Sequence, residues 1–319
     1  MKTLIVGVGA LGGLIAARML KAGAEVALAT RTSESARQLK ASGLHAGEWV
    51  AAGEIGVWES FRQREFELVI LATKAQDALQ VAPQLRAATL LPIQNGGVSQ
   101  ILAERIGPCV LGGLSNLAAT MTRPGVYEQK NQGHLLIGEL AGGISPRAEA
   151  VRDWLGQAIE VRLTDNLSGA VWSKLLINCS VTTLGAIGGC SMRDYIYQPQ
   201  ARRLFDQVYA EALAVALASG ATPQRMLVDP LGSGEEWLQT VLAAYGDLKP
   251  SMLQDFERGR TTEIDFLNGY VVELGQRLGI PVQANRAVVQ IVERITGGDC
   301  RPELSLLTQI AQAGFDIAL

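Results

Sequence analysis

Histidine and cysteine are nearly missing from this chain, with 2 of the former and 4 of the latter in 319 residues. His45 and His134 stand far apart, and Cys109, Cys179, Cys190 and Cys300 form neither a CxxC pair nor a disulfide-dense pattern. That leaves a zinc site without a ligand set, so no metal is expected. The thiols read as reduced cysteines of a cytoplasmic protein. Charge is also sparse, at 18% charged residues and a net −3, which provides no basic field for nucleic acid. Disorder is excluded by 48% hydrophobic residues, and 319 residues suit two domains with a large core. The apolar stretch after Lys2 is interrupted by Arg18 and Lys21, too early for a membrane span. Its glycine spacing is not that of a signal peptide, so neither export nor a membrane partner is expected.

Glycine, by contrast, falls at once into a pattern. Residues 2–6 read as a short strand, Gly7-Val8-Gly9-Ala10-Leu11-Gly12 follows, and 11–20 reads as a helix ending before Gly23. In a strand–turn–helix setting this spacing is the dinucleotide fingerprint. Gly7 permits the tight turn, Gly9 lets backbone approach a pyrophosphate, and Gly12 lets helix and strand pack closely. Through Ala10 and Leu11, the helix N-terminus offers free N–H groups to phosphates. Residues 25–30 predict the second strand, whose end, Ala29-Thr30-Arg31-Thr32-Ser33, lacks the acid that grips ribose hydroxyls. Arg31, 24 residues after Gly7, instead suits a 2′-phosphate, by a forked contact and by stacking on adenine. NADPH/NADP+ is the expected cofactor, with a solvated loop arginine as the alternative.

Strand and helix signals alternate through the first half: strands at 68–72, 89–93 and 109–114, and a helix at 75–85. Segments 126–129 and 134–139, separated by Asn131-Gln132-Gly133, predict a hairpin. Such alternation implies an open, mostly parallel sheet with helices on both faces. Beyond about residue 165 the strand signals vanish, and 166–183, 199–219, 235–245, 251–278 and 284–296 carry helical apolar spacing. The expected fold is an α/β Rossmann-type domain over 1–165, followed by an all-α domain over 166–319. Enzymes of this kind commonly hold substrate in the cleft between domains.

Ligands of a parallel sheet gather outside the carboxyl ends of its strands, where Thr73-Lys74 and Gln94-Asn95-Gly96 stand. Lys74 is a contact for cofactor or substrate, or an exposed lysine. Asn95 can both donate and accept beside a nicotinamide or a carbonyl, or is an ordinary turn asparagine before glycine. In the second half, Trp172-Ser173-Lys174-Leu175-Leu176-Ile177-Asn178 puts Lys174 and Asn178 on one helical face in apolar surroundings. Such a lysine either snorkels to solvent or, if desolvated, loses pKa and becomes suited to proton transfer. Ser251 and Glu263 mark a third place, where a capping serine and a surface glutamate are the simpler readings.

Together these segments resemble the ketopantoate reductase family over nearly the whole chain. The resemblance rests on the glycine turn with Arg31, on Thr73-Lys74-Ala75 and Gln94-Asn95-Gly96, and on Trp172-Ser173-Lys174 with Asn178. It continues through Ser251-Met252-Leu253-Gln254-Asp255 and Thr262-Glu263-Ile264-Asp265 to Asn268-Gly269. What it implies is NADPH-dependent reduction of a 2-oxo acid, ketopantoate in the namesake, to a D-2-hydroxy acid. Lys174 then matches the family's general acid and Glu263 its orienting acid. Asn178 and Ser251 match substrate contacts, and Asn95 would line the nicotinamide end.

Two positions depart from the pattern: Thr182 and Leu248 stand where well-studied members carry asparagines. Losing amide contacts to a hydroxylated substrate changes which substrate is favoured. A dehydrogenase of another hydroxy acid or polyol, and a non-catalytic NADPH sensor, are the competing readings. Retention of both Lys174 and Glu263 argues against the sensor. A homodimer is open, since no apolar stripe compels one.

Overall fold

The computed structural model describes residues 1–313. The chain divides into two compact units, Met1–Leu167 and Ser168–Leu319, each with its own apolar core.

The first unit begins with β1 (Thr3–Val6), α1 (Ala10–Lys21), β2 (Val26–Thr30), α2 (Ser33–Ser42), β3 (Leu44–Ala46), β4 (Glu48–Val50) and β5 (Ile55–Val57). It continues with β6 (Glu65–Leu71), α3 (Ala75–Val81), β7 (Arg86–Pro92), α4 (Val98–Ile106), β8 (Gly112–Ser115) and β9 (Ala119–Arg123). β10 (Val126–Gln129), β11 (Leu135–Gly138), α5 (Pro146–Leu155) and β12 (Val161–Leu163) complete it. Strands β5-β2-β1-β6-β7 lie in that order in an all-parallel sheet. β1 and β2 are buried throughout, which is why they are apolar but for Thr3 and Thr30 at their ends. Strand order reverses between β1 and β6, so a crevice opens where β1 runs into Gly7 and β6 into Thr73.

The expected hairpin between 126–129 and 134–139 does not form. β10 pairs with β9 and β3 in the sheet β4-β3-β10-β9, while β11 pairs with β8 and β12. Apolar alternation identifies a strand but not its partner. The second sheet also covers α1: Tyr127 of β10 lies so close that a Cβ on Gly13 would sit 2.1 Å from its ring. One helix of the expected double-sided cover is thus itself sandwiched by another sheet.

The second unit is helical. α6 (Leu167–Ile177) runs through a π-turn, Asn178–Thr182, into α7 (Thr183–Gly188). Then follow α8 (Met192–Tyr195), α9 (Pro199–Ala218), α10 (Gly234–Tyr245), α11 (Ser251–Glu257), α12 (Asn268–Leu278), α13 (Gln283–Gly297) and α14 (Leu304–Gln312). The span Leu167–Gly188 is long and apolar enough to cross a membrane, but 83% of its apolar window is buried inside the protein. The single helix expected over 251–278 is instead two. α11 ends at Glu257, Gly259 takes a left-handed φ of +59°, and the Arg260 N–H returns to the Asp255 carbonyl at 2.9 Å. A short 3-10 turn at Ile264–Phe266 then leads into α12.

Candidate active site

Three glycines occupy distinct environments at the β1–α1 turn. Gly7 has φ +97°, and a Cβ there would lie 2.7 Å from the Thr73 backbone nitrogen. A Cβ on Gly12 would lie 2.0 Å from the Gly7 carbonyl oxygen and 2.7 Å from Ala72 Cβ, so helix and strand meet there without a side chain. Gly9 differs: a Cβ would find nothing within 4 Å. Its backbone faces open space, beside a helix whose first turn holds no acid and has no side-chain cap. The N–H groups of Ala10, Leu11 and Gly12 are therefore open to an anion. From the second sheet, the buried Tyr127 hydroxyl donates to the Val8 carbonyl at 3.2 Å and braces this turn. Burial pushes its pKa up to about 12, keeping it a neutral donor.

Beside the turn lies a cavity of about 480 Å³ lined by Gly7, Gly9, Thr30, Arg31, Thr73 and Asp77, among others. Among the described residues Arg31 is the single cation in its wall, and its side chain is 82% exposed. The second strand indeed ends without an acid, yet acids reach the cavity from elsewhere. Glu59 follows β5, and Asp77 in α3 stands 3.8 Å from the Arg31 guanidinium. Trp58, Leu39 and Val81 add flat and apolar surface. Sequence reasoning missed these residues, because they come from segments that carry no motif; Asp77 and Gln80, three apart on one helical face, are the nearest thing to a signal.

Lys74 and Asn95 lie outside that wall. Half-buried Lys74 stands at the N-cap of α3, and half-buried Asn95 sits in the turn after β7. Gln94, which drew no separate role from the sequence, donates to the carbonyls of Leu71 and Thr73, each at 3.0 Å. It thereby ties the Asn95 turn to the end of β6.

In the helical unit, Lys174 is half-buried between buried Ser173 and Leu175. Burial lowers its pKa from the ordinary 10.5 to about 8, so desolvation outweighs any carboxylate's hold on the ammonium. Ser173 accepts the Gln224 N–H at 2.7 Å, and its hydroxyl lies 2.8 Å from the Gly169 carbonyl, pinning a distant segment beside Lys174. Half-buried Asn178, four residues after Lys174, opens the π-turn. Ser251 is exposed and is the first residue of α11, after its N-cap Pro250, so it is not the cap. Half-buried Glu263 stands just before the 3-10 turn, and its carbonyl accepts the Phe266 N–H at 3.0 Å. Among the described residues no group of three His, Cys, Asp or Glu side chains is placed to hold a metal.

A Rossmann-type unit joined to an all-helical unit that carries a desolvated lysine fits a two-domain, nucleotide-dependent oxidoreductase. Residues 3–142 match the family described as ketopantoate reductase PanE/ApbA, and residues 166–296 match the ketopantoate reductase PanE/ApbA C-terminal domain. The chain belongs to the ketopantoate reductase family, NAD(P)-dependent oxidoreductases acting on CH–OH and C=O groups. It is 28% identical to a 2-dehydropantoate 2-reductase of Archaeoglobus fulgidus over 302 residues, covering 92% of this chain and 97% of the relative. A PanE/ApbA family ketopantoate reductase structure from Ralstonia eutropha JMP134 superposes with a TM-score of 0.81 at 26% identity, over 93% of this chain and 99% of that one. A D-mandelate dehydrogenase solved with NADH and anilino(oxo)acetate has the same fold, with a TM-score of 0.80 at 23% identity over 93% and 99%.

Proposed function

We propose that this protein is a cytoplasmic, NADPH-dependent reductase that converts a 2-oxo acid to a D-2-hydroxy acid. Ketopantoate, reduced to pantoate in pantothenate biosynthesis, is the leading substrate. Lys174 carries the reading: it stands half-buried in an apolar helix four residues before Asn178, and burial brings its pKa to about 8. At neutral pH that ammonium hydrogen-bonds the ketone oxygen and gives it a proton as negative charge develops there. Glu263 orients the lysine and the substrate, and Asn178, Ser251 and Asn95 hold the substrate.

The residues at the β1–α1 turn fit a dinucleotide, since Gly9 leaves an open cradle beside unpaired helix N–H groups. Gly7, Gly9, Ala10, Leu11 and Gly12 would hold the pyrophosphate, Arg31 the 2′-phosphate, and Lys74 and Asn95 the remainder. Bound NADPH would supply the hydride to the ketone carbon. The test is Lys174→Ala: NADPH affinity unchanged and turnover lowered by roughly 10²–10⁴-fold, as for a lost general acid. Unchanged turnover across every reactive 2-oxo acid would end the reading.

A second reading is favoured by two observations. Asp77 stands 3.8 Å from Arg31 and competes for the cation a 2′-phosphate would need. Thr182 spends its hydroxyl proton within its own helix. Both suit an enzyme with weaker NADPH preference and a 2-oxo acid lacking a hydroxyl, and the D-mandelate dehydrogenase solved with NADH has the same fold.

A further inference from the structure

Five residues after Glu263, Asn268 is wholly buried at the start of α12, yet it reaches the helix that carries Lys174 and Asn178. A π-turn bonds each N–H one residue further back than an α-helix does, which releases carbonyls from their usual partners. Side chains take these up. The Thr182 and Thr183 hydroxyls donate to the Asn178 carbonyl at 3.0 and 2.9 Å. The Tyr195 hydroxyl lies 3.0 Å from the Ser180 carbonyl and 3.3 Å from that of Val181. Asn268 Nδ2 donates to the Cys179 carbonyl at 3.3 Å, and among these donors it alone comes from the Glu263 segment.

Asn268 is itself held. Its Nδ2 also donates to Asn285 Oδ1 at 3.0 Å. Asn285, equally buried, donates to the Val208 carbonyl at 3.1 Å and to Glu211 Oε2 at 2.9 Å. The Glu211 carboxylate in turn accepts the N–H groups of Ala284 and Asn285, at 3.0 and 2.9 Å, at the start of α13. Both amide groups thus have every donor committed, and each orients the next. A buried carboxylate, two buried amides and an interrupted helix cost more than apolar packing around an unbroken one. What they provide is a fixed register between two backbone segments.

We propose that Asn268 is a positioning residue for the reaction. It holds the π-turn, and with it Asn178 and Lys174, in register with Glu263, and the Asn285–Glu211 pair anchors it. The inference rests on the reductase reading above.

The experiment compares wild-type protein with Asn268→Ser and Asn268→Leu, the latter of similar size but with no donor for the Cys179 carbonyl. A buried Leu238→Ala change in α10 serves as a stability control outside the network. The expected result is kcat lowered about 10–100-fold in both Asn268 variants, as for a reacting group misplaced by an ångström. NADPH affinity stays unchanged, the alkaline limb of the pH profile shifts, and Leu238→Ala keeps its kcat despite a lower Tm. Should neither Asn268 variant fold, Asn285→Ser removes the same anchor from the other side. A kcat within threefold of wild type, or a loss no greater than that of Leu238→Ala, overturns the inference while leaving the reductase reading intact. A wild-type protein that reduces no 2-oxo acid overturns that reading, and this inference with it.

Discussion

The hydroxyl of Thr182 turns back onto the carbonyl of Asn178, 3.0 Å away, so its one proton is committed to its own helix. An asparagine, which the family pattern carries at this place, would have two amide N–H donors and so could spare one for a substrate hydroxyl. Thr182→Asn should therefore raise kcat/KM for ketopantoate relative to 2-oxoisovalerate, which lacks the hydroxyl. One neutral hydrogen bond is worth about 1 kcal/mol, or roughly fivefold. Steady-state kinetics on the two acids measures the ratio, and an unchanged ratio would separate position 182 from the substrate's side chain.

Arg31 and Asp77 make a second prediction. Arg31→Ala should weaken NADPH far more than NADH, by about 1.5–3 kcal/mol for a lost charge-assisted contact. Asp77→Asn should act oppositely, strengthening NADPH by up to about 1 kcal/mol, the value of an exposed ion pair no longer competing. Nucleotide titrations followed by fluorescence give both numbers. Equal losses for the two nucleotides in Arg31→Ala would refute the phosphate role.

Gly9 and Gly12 should fail in different ways. Gly12→Ala drives a methyl to 2.0 Å from the Gly7 oxygen, so it should lower stability by about 1–3 kcal/mol or more. Gly9→Ala meets nothing within 4 Å and already has φ −79°, so its Tm should hold while dinucleotide binding collapses. Thermal melts with and without NADPH separate the two. A Gly9→Ala protein that still gains Tm from NADPH would remove the pyrophosphate from this turn.

Lys174 sets the pH dependence. With its pKa lowered to about 8, reduction should lose its proton donor above about pH 8, kcat/KM falling about tenfold per unit. Oxidation of the hydroxy acid needs the neutral amine and should fall below the same point. The stability sign follows from the folded pKa lying below the ordinary 10.5. Between about 8 and 10.5 the unfolded chain binds the extra proton. The penalty of burying the ammonium is thus full below pH 8 and fades as pH rises. Lys174→Met should gain most Tm near pH 7 and least near pH 10.5. A gain independent of pH would mean that desolvation is not what shifts this lysine.

Local chemistry was legible in the amino-acid sequence, and pairing over distance was not. The Gly7–Gly12 turn reads directly because its strand, turn and helix are contiguous and each glycine has a separate physical task. The 126–129 and 134–139 strands were visible by alternation, but the partners of β10 and β11 lie in β3, β9, β8 and β12. Apolar spacing also ran on past Gly259, where a left-handed φ ends α11. The cavity wall combines Arg31 with Trp58, Glu59 and Asp77 from segments without a motif. Nor does helical period reveal a π-turn, because Asn178–Thr182 departs from it by a single residue. Lys174 stood out as a cation in an apolar helix, whereas its supports, Ser173 with Gln224 and Asn268 with Asn285, depend on the fold.

The most direct measurement is NADPH consumption by the purified protein with ketopantoate, pyruvate, 2-oxoisovalerate and other branched 2-oxo acids. The account predicts rapid, Lys174-dependent oxidation of NADPH by at least one of them, ketopantoate foremost. Selective turnover of another 2-oxo acid would keep the chemistry and move the substrate. No turnover with any of them, by protein that binds NADPH, would contradict the account.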